Sequence, residues 1–234
     1  MAEAAPLISS HRIRDPVFWL PTVLRRAHFP THGEPFSGWL FVYFTAIGFG
    51  YITIKLALLQ KLDFFLGDPS RSLALLLAAL LIGSGLGSWL SRNAHRRKAV
   101  AAGLWISVGA VILLTVLPVI FQALHNTALS VKQGIAAILL FLQGVPMGYL
   151  FPIGLRVAQA HWGPSVIPWM WAVNGSASVA GSAVAISIAM TLGYTWMHLF
   201  GAVCYVVAGI VMVRLPQRVW YGKGEGPHKM EFVP

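Results

Sequence analysis

The segment from Arg92 to Ala123, RNAHRRKAVAAGLWISVGAVILLTVLPVIFQA, decides the fold. It opens on Arg92, Arg96, Arg97 and Lys98, then runs from Ala99 to Ala123 without an Asp, Glu, Lys or Arg. A surface helix of a soluble domain needs a polar face, whereas an uncharged run of this length crosses a hydrocarbon core of about 30 Å. A basic cluster directly before such a run marks its cytoplasmic end. The rest of the chain has the same character. Of its 234 residues 57% are hydrophobic and 10% charged, against roughly 25% charged in soluble domains. Lipid is the solvent this composition requires, and the expected class is an all-α integral membrane protein.

Working outward, the other apolar runs predict spans at Phe36 to Leu59, Ser72 to Ser91, Gln133 to Leu155, Pro168 to Leu192 and Tyr194 to Val213. With the central run they make a bundle of six transmembrane helices over 36–213, between a cytoplasmic or interfacial segment at 1–35 and a cytoplasmic tail at 214–234. Pro118, Pro146 and Pro152 fall inside spans, and those in the fourth predict kinks because each removes a backbone donor. Pro168 suits a first helical turn. The segment Val17 to Phe29 mixes Phe18, Trp19, Leu20 and Leu24 with Arg25 and Arg26, as does a stretch lying in the headgroup region, though a loop with aromatic residues reads the same way. The polar, Gly-rich Gly222 to Pro234 predicts a tail that is disordered in isolation. Pro6, His11, Arg12, Arg14 and Asp15 occupy the place of a signal peptide's apolar core, so a retained N-terminus is expected.

Orientation follows from the Lys and Arg residues of alternate connections. One side collects Arg12, Arg14, Arg25, Arg26, Arg92, Arg96, Arg97, Lys98, Arg156, Arg214, Arg218, Lys223 and Lys229; the other has Lys61, Arg71 and Lys132. The positive-inside rule then places both termini in the cytoplasm, as expected for a multi-pass protein of the bacterial inner membrane. The net charge of +10 is accounted for by these connections, and no nucleic-acid partner is expected. The single Cys204 lies in an apolar run, so no disulfide framework or thiolate metal site is expected within one chain.

Small residues mark where helices can meet closely. Gly83, Gly85, Gly87, Ser84 and Ser88 in the second span, and Ser178, Gly181 and Ser182 in the fifth, form small-xxx-small patterns that let backbones approach. They read either as internal packing or as a seam for another membrane subunit. Lys55, Asn174 and Gln143 make up a candidate polar site. Lys55 is the one Lys, Arg, Asp or Glu deep in a predicted span, where a mid-bilayer lysine costs roughly 2.5–3.5 kcal/mol. Its place one turn from Leu59 predicts an interfacial ion pair with Asp63 or Asp68. Asn174 is expected to face the bundle and bond a carbonyl freed by Pro146 or Pro152. Of eight histidines only His198 lies in a span. It could ligate a metal or pigment, alone or with His125, but a lone membrane histidine more commonly hydrogen-bonds locally, and no cofactor is predicted. No paired acids, nucleophile with a base, or phosphate-cradling loop stands in a soluble segment, so catalysis is not expected.

Two stretches carry a family resemblance: IGFGYITIKLALLQKLDFFLGDPSRSLALLLAALLIGSGLGS at 47–88, and FPIGLRVAQ at 151–159 with IPWMWAVNGSASVAGSAVA at 167–185. They resemble the C-terminal membrane half of bacterial spermidine-synthase-like proteins, in which membrane helices are fused to an aminopropyltransferase-like domain. LGDP at 66–69, GLGS at 85–88 and WAVNG at 171–175 are its most specific points, and RDPVFW at 14–19 resembles the link that follows the enzyme domain. The chain departs from the family in lacking that catalytic domain, so no enzymatic residue carries over. It also departs at Lys55, where related membrane halves tend to place a glutamate, which puts an inherited polyamine site in doubt. Three functions follow as expectations. The first is a noncatalytic accessory or scaffold subunit whose partners are other membrane subunits and lipid. The others are a small-solute transporter, and a membrane anchor for a separately encoded aminopropyltransferase-like enzyme.

Overall fold

Apolar runs in this chain become helices because a helix satisfies every interior backbone donor and acceptor within its own segment. The structure, a computed structural model, describes residues 38–93 and 96–214; the Val17 to Phe29 segment and the Gly222 to Pro234 tail lie outside the described residues. Six long helices follow in order: α1 Gly38–Leu66, α2 Pro69–Leu90, α3 Arg96–Ala123, α4 Leu129–Trp162, α5 Ile167–Thr191 and α6 Tyr194–Arg214. Short 3-10 turns at Ser91–Asn93 and Pro164–Val166 complete the described residues, which include no strand. All six helices are long and apolar enough to cross a membrane. Large apolar side chains stand more than half exposed on their outer faces, among them Leu81, Trp105, Val119, Ile138, Val179 and Met190, an arrangement suited to lipid rather than water.

The α1–α2, α3–α4 and α5–α6 connections define one end of the bundle, here called distal, and the α2–α3 and α4–α5 connections define the proximal end. At the distal end the first span differs from its expected boundary, running past Leu59 to Leu66 through Lys61 and Asp63. A contact with α3 accompanies this extension. Pro118 has no N–H to offer the Leu114 carbonyl one turn back, and Lys61 Nζ donates to that carbonyl across 3.3 Å. The chain turns only at Gly67, whose φ of 68° would strain any residue with a Cβ, and its N–H closes on the Asp63 carbonyl at 2.9 Å. Asp68 then caps α2, accepting from the Ser70 and Arg71 amides at 3.0 and 3.2 Å. Lys61 is thus a helical residue rather than a loop residue. The fourth span is also longer than expected, a single helix that continues through both Pro146 and Pro152.

Two glycine seams bring backbones together. Gly83 and Gly87 of α2 face Gly144 and Gly148 of α4. A Cβ on Gly83 would stand 2.5 Å from the Phe141 carbonyl oxygen and one on Gly144 3.1 Å from that of Leu80, while at Gly87 and Gly148 it would overlap the Val145 and Ser84 backbones. Between α3 and α6, a Cβ on Gly103 would lie 3.3 Å from the Gly209 Cα, and Ser107 Oγ donates to the Ala202 carbonyl at 2.9 Å. Lipid supplies no hydrophobic force between helices, so close contact and such hydrogen bonds hold them.

Tyr43, wholly buried, donates from its hydroxyl to the Leu150 carbonyl at 2.8 Å, tying α1 to α4. Its ring meets Phe44 edge-on, Phe44 meets Phe151, and Phe151 meets Trp171 at 4.6 Å, so an aromatic chain links α1, α4 and α5 proximally. Arg156 donates to the Ser91 carbonyl, placing a cation where α2 leaves its last acceptors open. Distally Phe65 stacks on Phe121 at 3.8 Å, and Lys132 lies 5.7 Å from the Phe65 ring centre.

Candidate functional site

The longer α1 changes the position of Lys55. Counted from Leu66 it lies eleven residues back, about 16 Å along the axis. The companion helix α2 has 22 residues, about 33 Å, and starts at the same distal turn. In a core of about 30 Å this pair would hold Lys55 near mid-depth, not one turn from an interface. The ion pair expected with Asp63 or Asp68 is not formed. Asp68 is engaged as the α2 cap and in a 3.0 Å bridge to Arg71 Nε, and Asp63 lies eight residues, about 12 Å, farther along α1. Lys55 is half-buried and has no hydrogen bond or ion pair with any described residue.

Asn174 also differs from expectation. It sits on α1, not on the prolines of α4: a Cβ on Gly48 would come within 2.6 Å of the Asn174 carbonyl oxygen and 3.3 Å of its Oδ1. That Oδ1 is buried without a hydrogen-bond partner. The reason is that α5 packs mainly along α1, touching α4 slightly and near the proximal Trp171. Ser178 Oγ donates to the Asn174 carbonyl at 2.9 Å and to the Gly48 carbonyl at 3.3 Å. Gln143 belongs to a different place, between α4 and α3, where Nε2 donates to the Ile106 carbonyl at 3.2 Å. Lys55, Asn174 and Gln143 are therefore not one site.

The seam residues divide in the same manner. Gly83 and Gly87 meet α4, and a Cβ on Gly181 would reach Ile52 at 2.8 Å and the Phe49 Cα at 3.2 Å on α1. Gly85 faces open space, and Ser88 and Ser182 are half-buried beside the contact lines. The residues that the sequence reading missed are Gly144 and Gly148, and Gly103 with Ala99 and Ser107, whose four-residue spacings were visible, and Gly48 and Gly209, which have no such signature.

His198 is 0% exposed, buried between helices. Lys61 and the Ala110 backbone are its polar neighbours. His125 is exposed, its ring bonded to Asn126 at 3.0 Å. Among the described residues no three or more His, Cys, Asp or Glu side chains gather where they could hold a metal.

Two surface features remain. On α1 and α6 an apolar groove of about 220 Å³ is lined by Phe41, Val42, Thr45, Ala46, Phe49 and Cys204. Between Ala172 and Ala183 the exposed residues of α5 are Ala172, Gly175, Ser176, Val179, Ala180 and Ala183, while Trp171 precedes this stretch and Val184, Ile186 and Met190 follow it as exposed large apolar side chains. Only 17% of the most apolar stretch of Pro164–Thr191 is buried, against 56% for α1, so α5 is the least enclosed helix.

No protein-family model, no curated protein and no solved structure matches this chain. The likeness to the membrane half of spermidine-synthase-like proteins rests on the quoted motifs alone.

Proposed function

We propose that the chain is a noncatalytic, multi-pass subunit of the bacterial inner membrane that packs through α5 against a larger membrane assembly. The observation that carries this reading is the exposure of α5 together with the small side chains of its Ala172 to Ala183 stretch. A helix facing lipid is usually covered by bulky apolar groups, whereas small residues favour close approach of another helix. The unpaired Lys55 on the neighbouring strip of α1 is a further reason to expect company in the membrane. A carrier whose path runs from the α4 prolines to Asn174 is supported less, since Asn174 lies against α1.

Arg92, Lys98, Arg156 and Arg214 belong to the proximal half and Lys61, Arg71 and Lys132 to the distal half. This distribution supports cytoplasmic termini. Reporter fusions after Lys98 and Arg218 should then report cytoplasm, and fusions near Asp68 and His125 the opposite side. A distal-side report from Arg218 would overturn the orientation. The subunit reading is tested by purification from native membranes in mild detergent followed by mass spectrometry: stoichiometric companion chains support it, and a chain that elutes alone refutes it.

A further inference from the structure

Lys55 shares a strip of α1 with Gly48 and Leu59, at spacings of seven and eleven residues that return to one helical face. On α5, Trp171, Ser178 and Ser182 repeat the same spacing. The two strips adjoin, because Ser178 Oγ donates to the Gly48 carbonyl. They run along the α1–α5 seam, near whose proximal end Trp171 meets Phe151 of α4. Beyond it α5 scarcely touches α4, and Ser178, Ser182 and Lys55 are each half-buried along the seam.

A lysine at this depth needs a counter-charge. Its five side-chain bonds of about 1.5 Å carry the ammonium at most about 6 Å, too little to climb roughly 16 Å to the distal surface. A phospholipid headgroup at that surface is equally far away. Among the described residues a second copy of this chain offers only Asp63 and Asp68 as acids, both at the distal end, and so no carboxylate at mid-depth. Charge complementarity therefore selects a different membrane protein.

We propose that the seam between α1 and α5 receives a transmembrane helix of a heterologous subunit, and that an Asp or Glu at mid-depth on that helix pairs with Lys55. This rests on the accessory-subunit reading and names its point of attachment. The small side chains let the partner backbone approach, and the buried ion pair fixes its register. Replacing Lys55 leaves the partner's carboxylate alone in hydrocarbon, which favours release of the partner over loss of insertion.

The test uses tagged full-length protein expressed in its native membrane, with a photo-crosslinking amino acid at Ser182 in one version. Wild-type protein should crosslink to a companion helix that contains a mid-span Asp or Glu. Lys55→Met should reach normal membrane levels yet retain roughly tenfold less companion, with Lys55→Arg retaining it. Exchanging the charges, Lys55→Asp against the companion's acid→Lys, should restore association. If wild-type protein has no stoichiometric companion, the subunit reading itself fails. If a companion is present but survives Lys55→Met, crosslinks through a helix without a carboxylate, or proves to be a second copy, this attachment is wrong while the subunit reading stands. Loss of a phospholipid alone from Lys55→Met is equally decisive against it. Should Lys55→Met fail to accumulate, changing the companion's acid to its amide decides: unchanged association overturns the pairing.

Discussion

Adding one methyl group at Gly87 measures the α2–α4 seam directly. The new Cβ would stand 2.9 Å from the Val145 carbonyl carbon and closer still to its oxygen, whereas ordinary carbon contacts lie at about 3.5–4.0 Å. The obstacle is backbone of another helix, so no rotamer change relieves it and the helices must part by about 1 Å. Such a gap forfeits a quarter to a half of each contact. A seam of on the order of 40 atom pairs at about 0.15 kcal/mol each holds about 6 kcal/mol, so the loss is about 1.5–3 kcal/mol. The better helix propensity of alanine offsets about 1 kcal/mol, leaving a net destabilisation of about 0.5–2 kcal/mol for Gly87→Ala. Gly85 is two residues away on the same helix and has nothing within 4 Å of its would-be Cβ. Gly85→Ala therefore keeps the propensity gain without the clash, and the two variants should differ in sign. Thermal unfolding in mild detergent, read as loss of the monodisperse size-exclusion peak, compares them. Equal shifts in one direction would refute the claim that Gly83, Gly87, Gly144 and Gly148 form a backbone contact.

Tyr43→Phe removes the buried donor to Leu150 and should lower the same unfolding midpoint, by the equivalent of about 0.5–1.5 kcal/mol. The Lys61 bond to Leu114 exists because Pro118 leaves that carbonyl open; Lys61→Met should therefore cost less in a Pro118→Ala background, and a double-mutant cycle with no coupling would count against that account. Gly109→Ala should be milder than Gly148→Ala. The first meets only the end of the Gln143 side chain, at 2.5 Å, and the second meets Ser84 backbone, so equal losses of folded yield would contradict the difference.

Some of this was legible in the residues alone. An uncharged run long enough for a bilayer is a one-dimensional property, and Ala99 to Ala123 needs no neighbour to declare itself a helix. The same holds for the Gly67–Asp68–Pro69 turn, since positive φ, an N-cap carboxylate and a first-turn proline are local demands. Small residues at helical spacing likewise announce close approach, but not to which helix. That Gly83 and Gly87 meet α4, that Gly181 meets α1, and that Gly85 meets nothing depends on which faces are turned together. Helices equally apolar on every side carry no hydrophobic signal of their own facing in lipid. The extent of α1 was hidden for a related reason: Lys61 is tolerated in a helix only because Pro118, on α3, left a carbonyl for it. Lengthening α1 in turn set Lys55 eleven residues, rather than four, from the distal end of its helix. The sequence by itself determined how many helices there are and where they are apolar, because those are properties of each segment. Tertiary structure decided which polar groups find partners and which, like Lys55 and the Asn174 Oδ1, do not, because hydrogen bonds and ion pairs between helices depend on distances that no single segment contains.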